Sequence, residues 1–478
     1  MPSGPKARVR ANIAALQMLH TLQAAARPAT LPEQRILAAW SGWGAVPQVF
    51  DTRNDDFATE RDQLQTLLTK EQYRSAEASI LNAHYTDPAL SQVIWQALQQ
   101  AGFSGGRVLE PGCGSGNFIA HAPSDAVMVG VESDPITAGI AALLYPSAQV
   151  RHEGFEVTRV PEASFTATVG NVPFGRYALT DPAHNPARLN IHNHFIVKSL
   201  ALTAPGGYVA LLTSRYTMDA ANTTARKIIA DNADLITAVR LPANAFTRVA
   251  GTQVVTDLLV LRRRDPDAPP RAEVPHWVNT VDHELIDDTT DAVETVPLNS
   301  FFASHPDHVL GSIELGRGLH GAPSMTVRPT PGVDLVDALA ARLQTAIDAA
   351  VQHGYGLTAT AADLTDVSPE VFDPGLITEA NRTHEPDLYT LRYNETDQRI
   401  EHWTGHRWEP TKTPKTLVAE TRELIGLRDV AASLNAAQRD GRSAETPWIR
   451  RRLELLDFDQ GLVVPLGIVE RGFKLCRG

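Results

Sequence analysis

The chain is poor in the residues that several common chemistries require. Of its 478 residues only two are cysteine, Cys113 and Cys476. That excludes a disulfide framework and leaves no cysteine-based zinc site. No apolar run reaches the ~20 residues of a membrane-spanning helix. No apolar stretch of the secretory kind follows Met1-Pro2-Ser3-Gly4-Pro5-Lys6. A cytoplasmic protein with no membrane partner is therefore expected. Positive charge is also short: 43 Lys and Arg stand against 55 Asp and Glu, for a net charge of −12. This argues against a protein that coats nucleic acid nonspecifically, but not against one that takes a single base into a pocket. No Gly-Lys-Thr or Gly-Lys-Ser phosphate loop occurs, so no helicase motor is recognisable. Asp366, Glu370 and Asp373 make no metal set, and no metal is expected.

What is present is an alternation of strand and helix patterns from Asn82 onward. Before it, residues 1–80 read as a helical lead: Arg8 to Ala26, Pro32 to Trp40 and Glu60 to Ala83 carry helical spacing. Trp40-Ser41-Gly42-Trp43-Gly44 interrupts it, with the tryptophans read as packing residues or a partner surface. Asp87-Pro88 and Asp134-Pro135 each combine an N-cap with proline at the first helical position. Strands are predicted at Arg107–Glu110, Val127–Glu132, Phe165–Gly170, Gly207–Thr213, Leu235–Leu241 and Gln253–Leu261. Helices are predicted at Asn190–Thr203 and Asp219–Asn232. This predicts an α/β domain over 81–264 with a mostly parallel, Rossmann-like sheet and helices on both faces. Ligands then belong at the carboxyl ends of the strands. Residues 265–330 lose periodicity and read as a linker or extension, opened by Asp265-Pro266-Asp267-Ala268-Pro269-Pro270. Residues 331–478 read as a smaller α+β region. It has helices at Val333–Val351 and Leu417–Gln438, and a hairpin within Tyr389–Trp408 whose aromatics Tyr393, Trp403 and Trp408 read as packing residues in preference to a surface that stacks on nucleic acid.

Two motifs carry chemistry. The first, Leu109-Glu110-Pro111-Gly112-Cys113-Gly114-Ser115-Gly116-Asn117-Phe118, is a strand running into a glycine turn. Residues without a β-carbon let the backbone approach a ligand closely. The glycines are two apart, unlike the dinucleotide fingerprint, whose last glycine follows at three. Glu110 is placed to pair with the ammonium of an amino-acid ligand. Glu132, ending the next strand, is placed to accept both hydroxyls of a ribose. Phe155 is placed to flank an adenine ring. The segment 82–88, with Tyr85 and Thr86, is placed to close over a methionine moiety. S-adenosylmethionine has all of these parts.

The second motif is Asn171-Val172-Pro173-Phe174-Gly175. An exocyclic amine on adenine is a poor nucleophile because its lone pair is delocalised into the ring. Two acceptors against its N–H groups pull the nitrogen toward sp³ geometry. Asn171 Oδ1 supplies one acceptor and the Val172 carbonyl the other. Pro173 holds Val172 extended, and Phe174 offers a face for stacking. His192-Asn193-His194 superficially suggests a nuclease, but it sits in a helical pattern and reads as structural. Basic candidates for a groove are Arg215, Arg226, Lys227 and Arg262-Arg263-Arg264, though each reads more readily as a solvated face or strand end.

Residues 82–262 resemble the N6-adenine type of amino-methyltransferases. Leu109–Phe118 is similar to their cofactor motif, Asn171-Val172-Pro173-Phe174 to their Asn-Pro-Pro-Tyr/Phe motif, and Tyr85-Thr86-Asp87-Pro88 to the segment that caps the cofactor. Val172 departs from the usual proline, which puts rigidity in doubt but keeps the main-chain acceptor. The Asn-Val-Pro-Phe-Gly form, Asn190-Ile191-His192-Asn193-His194-Phe195, Pro205-Gly206-Gly207-Tyr208, Trp40–Gly44 and Val309-Leu310-Gly311 resemble a narrower group. These are the large methylase–helicase proteins of phages, plasmids and conjugative elements, in which a methylase-like domain precedes a helicase. The resemblance implies a DNA adenine-N6 methyltransferase that takes S-adenosylmethionine and a flipped adenine. Its catalytic residues are Asn171, Val172, Pro173 and Phe174. Its cofactor residues are Tyr85, Thr86, Glu110, Gly112, Gly114, Gly116, Asn117, Phe118, Glu132 and Phe155. It also implies a front part of such a protein, with a separately encoded helicase or another defence or mobile-element subunit as partner. A catalytically silent partner-binding module, and methylation of RNA adenine or protein glutamine, remain as alternatives.

Overall fold

Unbroken runs of apolar and small residues at 126–131 and 207–212 build a sheet buried on both faces. A computed structural model describes residues 4–80, 86–246, 254–286, 293–317 and 323–360. Further on it describes 391–394, 397–403, 408–411 and isolated positions to 425. Seven strands form the sheet: β1 Gly106–Pro111, β2 Ala126–Glu132, β3 Gln149–His152, β4 Phe165–Asn171, β5 Thr203–Ser214, β6 Ala233–Leu241 and β7 Thr256–Arg263. Their order is β3-β2-β1-β4-β5-β7-β6. All neighbours are parallel except β7, which runs antiparallel to both β5 and β6. Order reverses between β1 and β4, and the crevice at the carboxyl ends of those two strands is where such a sheet binds ligands. The sequence pattern does not show strand β3, because at the sheet edge two of its four residues are exposed and two half-buried.

The period of two sorts side chains to opposite faces. Val108, Met128, Tyr208, Ala210, Leu212, Leu258 and Val260 enter one core with helix α5 (Pro88–Gln100). Leu109, Val129, Val131, Val209, Leu211, Leu259 and Leu261 enter the other with helix α7 (Ile191–Leu202). A third core joins the N-terminal lead to Ile136 and Ile140 of α6 (Pro135–Leu144). In that lead α1 spans Pro5–Ala25 and α2 Leu31–Leu37. The helix expected over Glu60–Ala83 is two, α3 Ala58–Leu67 and α4 Lys70–Ser79. Thr69 breaks it: its hydroxyl accepts from Gln72 N while Gln72 Oε1 accepts from Thr69 N, a reciprocal cap that starts a new helix.

Residues 265–330 are more ordered than their composition suggests. They carry the hairpins β8 Thr280–Ile286 with β9 Val293–Asn299, and β10 Ser312–Arg317 with β11 Pro323–Arg328. Leu285, Leu298 and Met325 of these hairpins are buried in the second core. The helix Leu335–Gln352 places Leu339, Leu343 and Ile347 in the first core, and Gln100 Nε2 donates to Asp348 Oδ1 at 2.6 Å. Residues 1–372 cluster as one unit and 373–478 as another. In the latter, β12 Leu391–Asn394, β13 Arg399–Trp403 and β14 Trp408–Pro410 form an antiparallel sheet. The expected helix Leu417–Gln438 and the tail with Cys476 lie almost wholly outside the described residues.

Candidate active site

The glycine turn leaves β1 at the switch point. Gly112 has φ +71°, a conformation that side chains rarely adopt. A β-carbon there would lie 3.6 Å from Pro173 Cδ and 3.7 Å from Phe195, so the turn directly faces the second motif. At Gly116, φ +89°, a β-carbon would drive into the Tyr145 ring at 2.5 Å. The turn is anchored at both ends. Cys113 N donates to Val131 O at 2.9 Å, and Trp95 Nε1 of α5 donates to Phe118 O at 2.9 Å. Asn117 Nδ2 donates to Thr86 O at 2.8 Å, which ties the capping segment to the turn. Tyr85 lies outside the described residues. Cys113 Sγ packs over Gly130 of β2, and burial raises its thiol well above the ordinary range, so it stays protonated and inert.

A cleft of about 450 Å³ opens there. Of the expected cofactor residues, Thr86, Glu110, Gly112, Gly114, Asn117, Phe118, Glu132 and Phe155 line it; Gly116 stands behind, against Tyr145. Of the four expected catalytic residues, Asn171 and Pro173 line it. Val172 is buried in the second core, where its N–H donates to Leu212 O at 3.0 Å and extends the β4–β5 ladder. Phe174 is partly buried against the same core and is not on the cleft wall.

The charges fit a zwitterionic nucleoside ligand. Glu110 is almost fully buried, and its Oε2 has no hydrogen-bond partner among the described residues. Burial raises its carboxyl well above the usual range, against the opposing pull of the Phe118 and Ile119 amides. A cation placed beside this carboxyl would favour its ionised form and satisfy the unpartnered oxygen. Glu132 Oε2 accepts from Gly114 N at 3.0 Å and Oε1 from Asp134 N at 2.8 Å. Oε1 also accepts from the Ser133 hydroxyl at 3.4 Å, so Oε2 is the oxygen that keeps a further lone pair for a hydroxyl. Phe155 lies at 4.8 Å from Phe195, ring to ring, with Lys198 Nζ over its face at 5.1 Å. With glycines where side chains would block it, the site suits S-adenosylmethionine.

Sequence patterns missed several lining residues: Trp40, Gly42, Trp43 and Ser75 of the lead, Asp134 and Thr137 at the start of α6, and Glu156, Tyr177 and Leu179. Trp40–Trp43 and Asp134 stand in runs that the sequence marks as a packing or partner surface and as a helix cap, and nothing in those runs points to the cleft. The segment between the second motif and α7 is held by Asp181, whose buried carboxylate accepts from Lys198 Nζ at 2.8 Å and His194 Nε2 at 3.0 Å. Burial pushes that carboxyl up. Hydrogen bonds from His184, His194 and Lys198 outweigh it and hold the group well below the usual range. His194 is thus an anchor, and burial lowers His192 to about 4, leaving it neutral. Arg226, a candidate groove cation, is instead buried and donates to the carbonyls of Val278, Thr217 and Ala220. Arg262, Arg263 and Arg264 likewise bind neighbouring carbonyls at the strand end.

No family model matches the chain. It is 26% identical over 226 residues to the "Defense against restriction protein B" of Escherichia phage P1, covering 46% of this chain and 10% of that protein. It is 30% identical over 158 residues to the type II methyltransferase M.XamI of Xanthomonas campestris pv. amaranthicola, covering 27% of this chain and 28% of that protein. The chain thus spans a minor part of the length of both. Solved structures that align include a methyltransferase subunit of a type I restriction–modification system from Streptococcus thermophilus (14% identity, TM-score 0.37, 73% of this chain and 79% of that one). A Listeria monocytogenes protein assigned to the class I S-adenosylmethionine-dependent methyltransferases aligns at 17% identity and TM-score 0.37, over 56% of this chain and 91% of that one. No described helix is long and apolar enough to cross a membrane. The strand order gives this chain a Rossmann-like α/β fold whose switch-point cleft suits S-adenosylmethionine, and in sequence the chain is similar to parts of a phage defence-against-restriction protein and of a type II methyltransferase.

Proposed function

We propose that the chain transfers a methyl group from S-adenosylmethionine to the N6 of adenine in DNA. One observation carries this reading: Asn171 and Pro173 share a single cleft with Glu110, Gly112 and Glu132, at the adjoining carboxyl ends of β4 and β1. Glu110 would take the ammonium, Glu132 the ribose, and Phe155 the adenine face of the cofactor. The cofactor supplies an already activated methyl on a sulfonium. The chain's own work is then alignment of nitrogen and methyl, which can provide much of the rate.

Asn171 ends β4 and is paired with Leu212 of β5, so its backbone is fixed by the sheet. Its Oδ1 and the Val172 carbonyl would accept from the two N–H groups of the target amine. The bond from Val172 N to Leu212 O supplies rigidity that a proline would have supplied through its ring. Nucleic acid is favoured over a protein amide by the rim. Tyr177 and Tyr216 are 45% and 41% exposed, and Arg215 and Arg176 lie 4.3 and 5.8 Å from the Tyr216 ring. Exposed rings beside guanidinium groups suit stacked bases and phosphates. DNA entry then requires the base to leave its stack, at a cost of about a few kcal/mol. The relatives named for restriction and defence support DNA as the polymer and a larger assembly as the setting. A separately encoded helicase is one partner of that kind.

Transfer of labelled methyl to DNA, RNA and protein in parallel tests the reading, followed by mapping of the modified base. N6-methyladenine in DNA is expected. Asn171→Ala should cut transfer by about 10²-fold or more while S-adenosylhomocysteine binds within about threefold of wild type. Label only in protein, or full activity of Asn171→Ala, would refute it.

A further inference from the structure

Part of the cleft is not supplied by the sheet domain. Trp40, Gly42 and Trp43 of the helical lead line it beside Glu132, Asp134 and Thr137. Both tryptophans are only 2% exposed. Their loop is built into place. Asn12 of α1, fully buried, donates through Nδ2 to Gly42 O at 2.6 Å. Its Oδ1 accepts from Ser41 N at 2.9 Å and Ser41 Oγ at 3.2 Å. One carboxamide thus commits both ends to two adjacent residues of one loop. Gly42 has φ +62°, which favours glycine and bends the chain at the wall. Trp40 Nε1 donates to Thr137 Oγ1 at 3.3 Å, and that hydroxyl donates to Asp134 Oδ2 at 2.6 Å. Asp134 N in turn donates to Glu132. The chain of bonds runs from the loop to the carboxylate assigned to the ribose. Trp43 is braced edge-on by Trp40 and Phe50, each at 5.4 Å.

We infer that the Ser41–Trp43 loop is a wall of the cofactor site, closing its ribose side, and that Asn12 is the positioning residue that sets it there. The inference rests on the cofactor reading above. Two indoles make an apolar surface against a nucleoside and keep water from Glu132, which strengthens that carboxylate's bonds to hydroxyls. The helical lead is then part of the binding site, and cofactor affinity depends on residues outside the sheet domain.

The test uses the full chain and S-adenosylhomocysteine as the probe, read by tryptophan emission and by calorimetry. Binding to wild type should change the emission. The double variant Trp40→Phe with Trp43→Phe, which keeps aromatic packing, should lose most of that change, whereas Trp277→Phe should keep it. Asn12→Ala, checked for folding by circular dichroism, should raise Kd about tenfold or more. An unchanged emission response in the double Phe variant, with an unchanged Kd in folded Asn12→Ala, would overturn the inference and leave the cofactor reading intact. Absence of binding to the wild-type chain would overturn both.

Discussion

Glu110 concentrates the electrostatics of the site. It lies near the end of β1 on the cleft wall, buried, with one oxygen that has no hydrogen-bond partner among the described residues. Its carboxyl is raised by burial, so in the empty site it holds a proton at pH values where an ordinary glutamate has lost it. An ammonium beside it would reverse that balance and release the proton. Affinity for S-adenosylhomocysteine should therefore rise with pH while the empty-site carboxyl still titrates, and level off once it is ionised. Glu110→Gln should flatten this dependence and weaken binding by about tenfold. Calorimetry across pH, in buffers of different ionisation enthalpy, measures both the affinity and the released proton. An unchanged pH profile in Glu110→Gln would remove Glu110 from the ligand's contacts.

Among the elements, α7 does the most to shape the cleft without supplying catalytic chemistry. Ile191 and Phe195 face the cleft from its first turns. His194 and Lys198, one and two turns in, fix Asp181 and hence the strap between Gly175 and the helix. All three side chains are fully buried. Removing one charge from such a group strands the others, which typically costs about 3–5 kcal/mol. Asp181→Asn should destabilise the protein by that order in urea unfolding. The double variant Asp181→Leu with Lys198→Met should recover part of the loss. A strap merely resting on the surface would show neither effect. The His-Asn-His run was legible as part of a helix, but its partner Asp181 was not, since only tertiary folding brings position 181 beside 194 and 198.

For the whole molecule, the sheet alone does not complete the fold. The helical lead closes one core with α6, and the helix Leu335–Gln352 closes another with α5. Leu343 is 1% exposed and touches the core shared with β-strand residues such as Val108 and Leu258. Leu343→Ala should cost about 2–5 kcal/mol. The loss should appear in the same unfolding transition as the sheet, followed by Trp95 emission. A separate early transition for this helix would show that it is only appended.

Much of the sheet domain was decided locally. Caps and prolines at Asp87-Pro88 and Asp134-Pro135 start α5 and α6 as read, because a side-chain acceptor and a fixed φ act within a few residues. The glycine turn and Asn171 were legible for the same reason: each is a contiguous run whose chemistry needs no distant partner. Residues 280–328 were not, since their hairpins pair half-exposed strands of weak alternation. Val172 shows the division most clearly. Its side chain marks a departure from a pattern, but the bond from its N–H to Leu212 exists only once β4 lies beside β5. The same holds for Asn12, Trp40 and Trp43, an asparagine and two tryptophans in a helical lead whose place at the cleft depends on α1 packing against α6. Short-range sterics and hydrogen bonding write strands, turns and caps into consecutive residues. Which buried faces meet, and so which distant side chains surround the cleft, is settled by packing of the whole chain.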